Sequence, residues 1–175
     1  MIDLTPTLLT KYQDKKKEIN RFSVSDCWAI IHGRITPKDY LRGEIRDFSQ
    51  IFKMWQGTWK HNQIQELLKE LGYEIEPKIE YKTDDFVLVG KADAILGDEI
   101  LEIKTSAELI PNAKSWHIEQ VMIYLSLFKK QKGVIVQPIT KGNKLFLKEI
   151  GKVERDDEFF RKVLEELKEF QSKLK

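Results

Sequence analysis

The chain has 175 residues, of which 41% are hydrophobic and 33% are charged, and its formal net charge at pH 7 is only +2. This composition is typical of a soluble globular protein, and without a long apolar run or a signal peptide it predicts a cytoplasmic protein that crosses no membrane. The charge is too small to indicate nucleic-acid binding by itself, and the single cysteine, Cys27, excludes an intramolecular disulfide.

Periodicity and turn residues predict one domain in three parts: a helical N-terminal region at 1–56, a core at 57–150 and a C-terminal helix at 151–175. In chain order we expect helices at 18–32, 37–55 and 58–71, and then a strand at 73–82, interrupted near Pro77. After a central hairpin we expect a helix at 115–130, strands at 133–138 and 144–150, and a helix at 155–174. This order predicts an α/β fold in which a crossover helix returns the chain beside the hairpin.

The central hairpin is the most informative segment. Gly97-Asp98 separates two apolar-rich runs, and a two-residue Gly-Asp connection is typical of a tight antiparallel turn. In that register Asp93 lies directly opposite Glu102 on one face of the sheet. Lys104 follows Glu102 by two residues, so the period of a strand places its amine on the same face.

Two opposed carboxylates repel each other. Directly opposed residues have Cβ atoms about 5 Å apart, and at an effective dielectric constant of about 20 two charges at that distance repel by roughly 3 kcal/mol. A shared proton, the Lys104 amine or a divalent cation would each offset this repulsion. Two solvated acids on an exposed hairpin are the alternative, but the surrounding residues are apolar on both faces, which favours a buried strand pair.

Four elements in this order resemble the PD-(D/E)XK nuclease superfamily, and more narrowly its RecB-like exonuclease branch, which includes CRISPR-associated nucleases. They span about residues 57–140. They are the Gly57-x-x-x-His61 segment, the Gly90-x-x-Asp93 segment, the tripeptide Glu102-Ile103-Lys104 and the Gln120-x-x-x-Tyr124 segment.

The resemblance implies a restriction-endonuclease-like α/β core, made of a helix, three antiparallel strands, a helix and a strand, with N-terminal helices and a C-terminal helix added. It also implies an exonuclease that hydrolyses DNA phosphodiester bonds with Mg²⁺ or Mn²⁺. The DNA would be single-stranded or a duplex end, and a helicase or a recombination or CRISPR-type protein would be the partner.

The resemblance also implies a role for each site residue. Asp93, Glu102, His61 and the Ile103 carbonyl would hold the metal. Lys104 would act on the attacking water and on the developing charge. Gln120 and Tyr124 would position the lysine, the metal-bound water or the nucleic-acid backbone. Glu80 is a weaker candidate for an outer-shell role, and His117 shares the helix face of Gln120 without an assigned role.

The chain departs from part of the family. Several members carry four cysteines for an iron–sulfur cluster, and Cys27 alone cannot hold one, so we expect no cluster. Cys27 is expected to be a partly buried apolar residue on a helix. Two other functions stay open at this point: a noncatalytic nucleic-acid-binding or complex-assembly module on the same fold, and a structural-metal or small-acid-binding protein.

Overall fold

The computed structural model describes residues 3–12, 17–42, 46–106 and 108–174. The helices of this part of the chain are α1 (Thr5–Tyr12), α2 (Val24–Ile31), α3 (Pro37–Arg42), α4 (Phe48–Glu70), α5 (Ser115–Phe128) and α6 (Asp157–Ser172). Its strands are β1 (Arg21–Ser23), β2 (Glu74–Ile75), β3 (Lys78–Lys82), β4 (Val87–Lys91), β5 (Ala94–Leu96), β6 (Glu99–Ile103), β7 (Lys132–Lys141) and β8 (Lys144–Glu154). None of the described helices combines the length and apolar character that a membrane crossing requires.

The strands form two sheets. The larger has the order β2-β5-β6-β7-β8, and the smaller has the order β1-β4-β3. Strand β7 runs parallel to β6, and the expected crossover helix between them is α5. The remaining pairs of the larger sheet are antiparallel. The α/β order expected from the sequence is therefore confirmed.

The predicted hairpin register is confirmed. Leu96 lies opposite Glu99 and Ala94 lies opposite Leu101. Gly97 has a φ of 56° in the turn, a conformation that glycine adopts without steric penalty. The same register, continued by one residue, places Asp93 opposite Glu102.

The apolar run before the turn is not one strand. It is divided between β4 in the smaller sheet and β5 in the larger sheet. The strand expected at 73–82 is divided in the same way into β2 and β3. Glu76 lies between them with a φ of 53°, which a strand cannot accommodate, and Pro77 follows it.

Three helix predictions are wrong in their bounds. The helix expected at 18–32 begins only at Val24, because Arg21–Ser23 pair as β1 with β4. The helices expected at 37–55 and 58–71 are instead α3 and one long α4, while residues 43–45 lie outside the described part. An Asp47–Gln50 capping box fixes the first turn of α4, and the helix continues through Gly57.

Two hydrophobic clusters lie on opposite faces of the hairpin. The larger one joins α2, α5 and α6 to the sheets, and it includes Ile100 and the buried Cys27. The smaller one joins α4 to the hairpin through Ile64, Leu68, Ala94, Leu101 and Ile103. Because side chains alternate along β6, Glu102 points to the face that carries Ile100, away from the apolar contacts of α4. The hairpin is thus held between α4 and α5.

Candidate active site

The candidate site lies at the carboxyl end of β6, where the chain leaves the larger sheet between α4 and α5. Glu102 is in the strand, and Lys104 follows it. The Lys104 N–H still donates a hydrogen bond to the Val136 carbonyl of β7 at 2.8 Å. This bond extends the sheet geometry by one residue and fixes the backbone from which the lysine side chain starts.

A chain of polar contacts connects β6 to α5. Lys104 Nζ donates to Glu102 Oε1 at 2.7 Å and to Gln120 Oε1 at 3.1 Å. The Gln120 amide in turn donates to the Tyr124 hydroxyl at 3.2 Å. The sequence placed Gln120 and Tyr124 on one helix face, and their contact confirms that placement. Of the three groups that Gln120 and Tyr124 were expected to position, Gln120 contacts the lysine directly.

Asp93 is held from two sides. Its Oδ2 accepts the Ile103 N–H at 2.7 Å and lies 3.0 Å from His61 Nε2. Its backbone carbonyl accepts hydrogen bonds from the Glu76 N–H at 3.1 Å and from the Gln65 amide at 3.0 Å. These contacts fix the segment between β4 and β5 and orient the Asp93 carboxylate toward the end of β6.

Glu102 is in an unfavourable position for a charge. Its side chain is only 5% exposed, and its Oε2 has no hydrogen-bond partner among the described residues. Burial, together with the nearby Asp93 charge, raises the pKa of Glu102 to about 7, although Lys104 and His61 lower it in part. The carboxyl group therefore gains or loses a proton near neutral pH.

His61 responds to the same two acids. Burial by itself lowers the pKa of this imidazole, but the hydrogen bond to Asp93 and the charges of Asp93 and Glu102 outweigh burial, and the pKa lies above its ordinary value. His61 lies more than halfway along α4, whereas the sequence predicted it one turn into a helix. The cause is that α4 begins ten residues earlier than the predicted start at 58.

The donor atoms suit a hard divalent cation. Two carboxylates, one imidazole and the adjacent Ile103 backbone are gathered at the end of β6, and the unpartnered Glu102 Oε2 is a buried oxygen that requires a cation or a donor. No group of three or more His, Cys, Asp or Glu side chains in the described residues is already arranged as a metal shell. His61 and Lys104 instead contact the two acids.

Sequence reasoning missed two supports of the site. Gln65 is a buried amide on the apolar face of α4, and a buried polar side chain in such a stripe signals a specific partner, here Asp93. The Thr105 hydroxyl donates to the Gly57 carbonyl at 3.2 Å and so ties the segment after β6 to α4. Gly57 belongs to the middle of α4 and not to its start.

Two other candidates have different surroundings. Glu80 makes an exposed ion pair with Arg21 on the smaller sheet, so the outer-shell role suggested for it stays a prediction without support from this contact. His117 lies in the first turn of α5, where its Nδ1 accepts the Lys114 N–H at 3.4 Å. Burial, and then the charges of Lys104 and Lys114, lower the pKa of His117 to about 4, so the ring is neutral at pH 7.

No family model matches the sequence, and a search of curated proteins finds no match either. Solved structures do match. The protein SSO0001 is 24% identical with a TM-score of 0.66, and the match covers 97% of this chain and 85% of that one. The alkaline exonuclease LHK-Exo of Laribacter hongkongensis is 16% identical with a TM-score of 0.62, covering 97% and 92%.

A phage-related exonuclease from Haemophilus somnus 129PT is also similar in structure, at 14% identity and a TM-score of 0.54, with 95% of this chain and 96% of that chain covered. At these identities the likeness establishes the fold. The chain has the restriction-endonuclease-type fold of these exonucleases.

Within this restriction-endonuclease-type fold, Gln120 can contact Lys104 because β6 and β7 are parallel and a helix must connect them. Helix α5 connects these neighbouring strands and returns across the face of the sheet that carries Glu102. Residues 16 positions apart in the sequence therefore meet at the end of one strand.

Proposed function

We propose that this chain is a metal-dependent exonuclease that hydrolyses phosphodiester bonds in DNA. The observation that carries the proposal is the buried Glu102. One of its oxygens pairs with Lys104, the other has no hydrogen-bond partner among the described residues, and burial and the charge of Asp93 raise its pKa. A buried acid of this kind weakens the fold unless a ligand compensates it.

The similar structures support the reaction class. LHK-Exo is an alkaline exonuclease, and a second structure of it is a complex with dAMP, at 17% identity, a TM-score of 0.62 and 87% coverage of both chains. The order of His61, Asp93, Glu102-x-Lys104 and Gln120-x-x-x-Tyr124 supports placing this chain in the RecB-like branch. DNA would be the substrate, and a helicase or recombination protein would be the partner.

In the proposed mechanism, Asp93, Glu102, His61 and the Ile103 carbonyl would hold Mg²⁺ or Mn²⁺. When bound, such an ion lowers the pKa of water and polarises a phosphoryl oxygen. His61 would exchange its contact with Asp93 for the metal. The Ile103 N–H would keep the Asp93 carboxylate oriented through Oδ2. The raised pKa of Glu102 would fall once a cation replaces its proton.

Lys104 would act on the nucleophile and on the phosphate. Its amine would hold the attacking water and stabilise the negative charge that develops on the phosphoryl oxygens. The water oxygen would form a new bond to phosphorus and release one proton to solvent, while the bond to the leaving oxygen breaks and the leaving oxygen receives a proton from solvent. Gln120 would keep the Lys104 amine in place, and the Tyr124 hydroxyl would hold the Gln120 amide in turn.

The test is an assay on labelled single-stranded, linear duplex and circular DNA, each with Mg²⁺, Mn²⁺ or EDTA. We expect degradation of linear substrates with either metal, no degradation in EDTA, and resistance of circles because an exonuclease needs an end. Rapid cutting of circular DNA would show that the protein is an endonuclease and not an exonuclease. DNA binding without cleavage under all conditions would establish the noncatalytic binding module instead.

A further inference from the structure

A groove of about 520 Å³ opens next to Lys104, between the segment after β6 and the first turn of α5. Its polar lining includes Lys104, Thr105, Ser106, Lys114 and His117. The groove thus starts at the proposed catalytic lysine and continues past two hydroxyl groups to a second ammonium group. A carboxylate, Glu108, also lines it.

Trp116 stands in the first turn of α5, between two residues that line this groove. Trp116 is 39% exposed. Trp28 packs against it with ring centroids 5.5 Å apart, and Lys114 Nζ lies 4.7 Å from the centre of its ring. A neighbouring aromatic residue therefore fixes the indole, while part of the ring remains open to solvent and next to a cation.

The donors of the groove suit a phosphate group. Lys114 provides a mobile ammonium on a flexible stem, which can leave the Trp116 ring for an anion. Nδ1 of His117 accepts the Lys114 N–H, so the proton of the neutral ring lies on Nε2, where it can be donated. The Ser106 hydroxyl accepts the Glu108 N–H at 3.2 Å, and its own proton is available to a second acceptor.

We propose that this groove and the Trp116 ring next to its Lys114 form a nucleotide subsite. In this subsite Trp116 stacks on an unpaired base and Lys114 with His117 binds the adjacent phosphate. The subsite rests on the proposed function, because it places the next phosphate along the strand at Lys104. A base inside a duplex has both faces covered by its neighbours, so only a single strand or a frayed end presents a face to Trp116. Trp116 is accordingly a positioning residue for single-stranded DNA.

The test is a binding titration of labelled single-stranded DNA and of blunt duplex DNA in EDTA, where no cleavage occurs. Loss of one base stack lowers single-strand affinity by roughly 5-fold to 150-fold, and we expect this for Trp116→Ala. Trp116→Phe keeps an aromatic face and should restore most of the affinity. Affinity for the blunt duplex should change little in either variant.

Trp55→Ala is the matched control. Trp55 is also 39% exposed, but it belongs to α4, where it stacks on Phe52. Its loss should leave single-strand affinity unchanged. A second variant, Lys114→Gln, should weaken binding and reduce the slope of log affinity against log salt by about 0.7, the value for one phosphate contact on a single strand. Lys114→Gln also tests the proposed subsite if Trp116→Ala does not fold.

The subsite and the nuclease proposal fail separately. Equal losses of affinity in Trp116→Ala and Trp55→Ala, equal losses for single strands and duplexes, or an unchanged salt slope in Lys114→Gln would overturn the subsite even if the wild type cleaves DNA. A wild type that binds single strands through Trp116 but cleaves nothing in Mg²⁺ or Mn²⁺ would retain the subsite and overturn the nuclease.

Discussion

Two strand glutamates, Glu80 in β3 and Glu102 in β6, each contact one basic side chain, yet their surroundings are opposite. Glu80 is exposed on the smaller sheet, and its hydrogen bond to Arg21 lowers its pKa. Glu102 is buried on the larger sheet, and burial raises its pKa to about 7 in spite of Lys104. The comparison shows that an ion pair by itself does not indicate function. The proposed function rests instead on an acid that is buried where its charge is unfavourable.

The largest expected difference between the two pairs concerns activity. Lys104→Ala should lower the single-turnover cleavage rate roughly a hundredfold or more, because a positioned proton-transfer or electrostatic group is lost. Arg21→Ala, which removes the cation of the exposed pair, should leave the rate unchanged. Equal rates for wild type and Lys104→Ala on labelled single-stranded DNA would reject the role of Lys104.

A second difference concerns metal binding. Mn²⁺ should raise the melting temperature of the wild type, because a ligand bound only by the folded state stabilises it, by about 2.7 kcal/mol at a hundred times its Kd. Asp93→Ala should abolish this increase, whereas Glu80→Gln should retain it. Calorimetry that finds the same Mn²⁺ effect in wild type and Asp93→Ala would exclude Asp93 as a ligand.

A third difference concerns pH without metal. The pKa of Glu102 rises from 4.5 to about 7 on folding, so the folded state binds this proton more tightly than the unfolded state does. The stabilisation that this proton gives to the folded state is complete below pH 4.5. The free energy of unfolding should therefore fall as pH rises through this window, by about 3 kcal/mol at most, at about 1.4 kcal/mol per pKa unit.

Denaturant titrations in EDTA at several pH values between 4.5 and 8 would measure this slope. Glu102→Gln should flatten the slope, since an amide does not titrate. Glu80→Gln should not flatten it, because the pKa of Glu80 is shifted in the opposite direction. A wild-type slope that persists in Glu102→Gln would assign the titration to another group.

The smallest expected effect is that of breaking the exposed pair. Glu80→Gln should change neither the melting temperature nor the cleavage rate noticeably, because exposed ion pairs contribute little to stability. Thermal melts at low and high salt would check this expectation. A large loss of stability in Glu80→Gln would mean that burial is not what separates the two glutamates.

Local sequence patterns were sufficient to predict the central hairpin and the helix face that carries Gln120 and Tyr124. The two-residue turn at Gly97-Asp98 fixes the hairpin register, and the period of a strand then places Glu102 and Lys104 on one face. Helical spacing likewise brought Gln120 and Tyr124 together. These relations involve neighbours in sequence, so they need no knowledge of how the elements pack.

Other features depend on distant partners. Strand β1 has three residues, and it exists because Arg21–Ser23 pair with β4 more than sixty positions later. The contact of Gln65 with Asp93 and the contact of Lys104 with Gln120 also join separate elements. The sequence predicted a helix only from residue 58, yet α4 continues through Gly57 although glycine weakens a helix by about 1 kcal/mol.

Helix α4 makes its two ends mechanically dependent. It is an uninterrupted rod of 23 residues, about 34 Å long at 1.5 Å per residue. Its first turns carry the exposed, stacked rings of Phe48 and Phe52, and His61 lies beyond its midpoint. The Thr105–Gly57 hydrogen bond joins the helix to the segment after β6 near its centre. Because one continuous helix carries both groups, the aromatic end and the imidazole that contacts Asp93 are positioned by the same backbone.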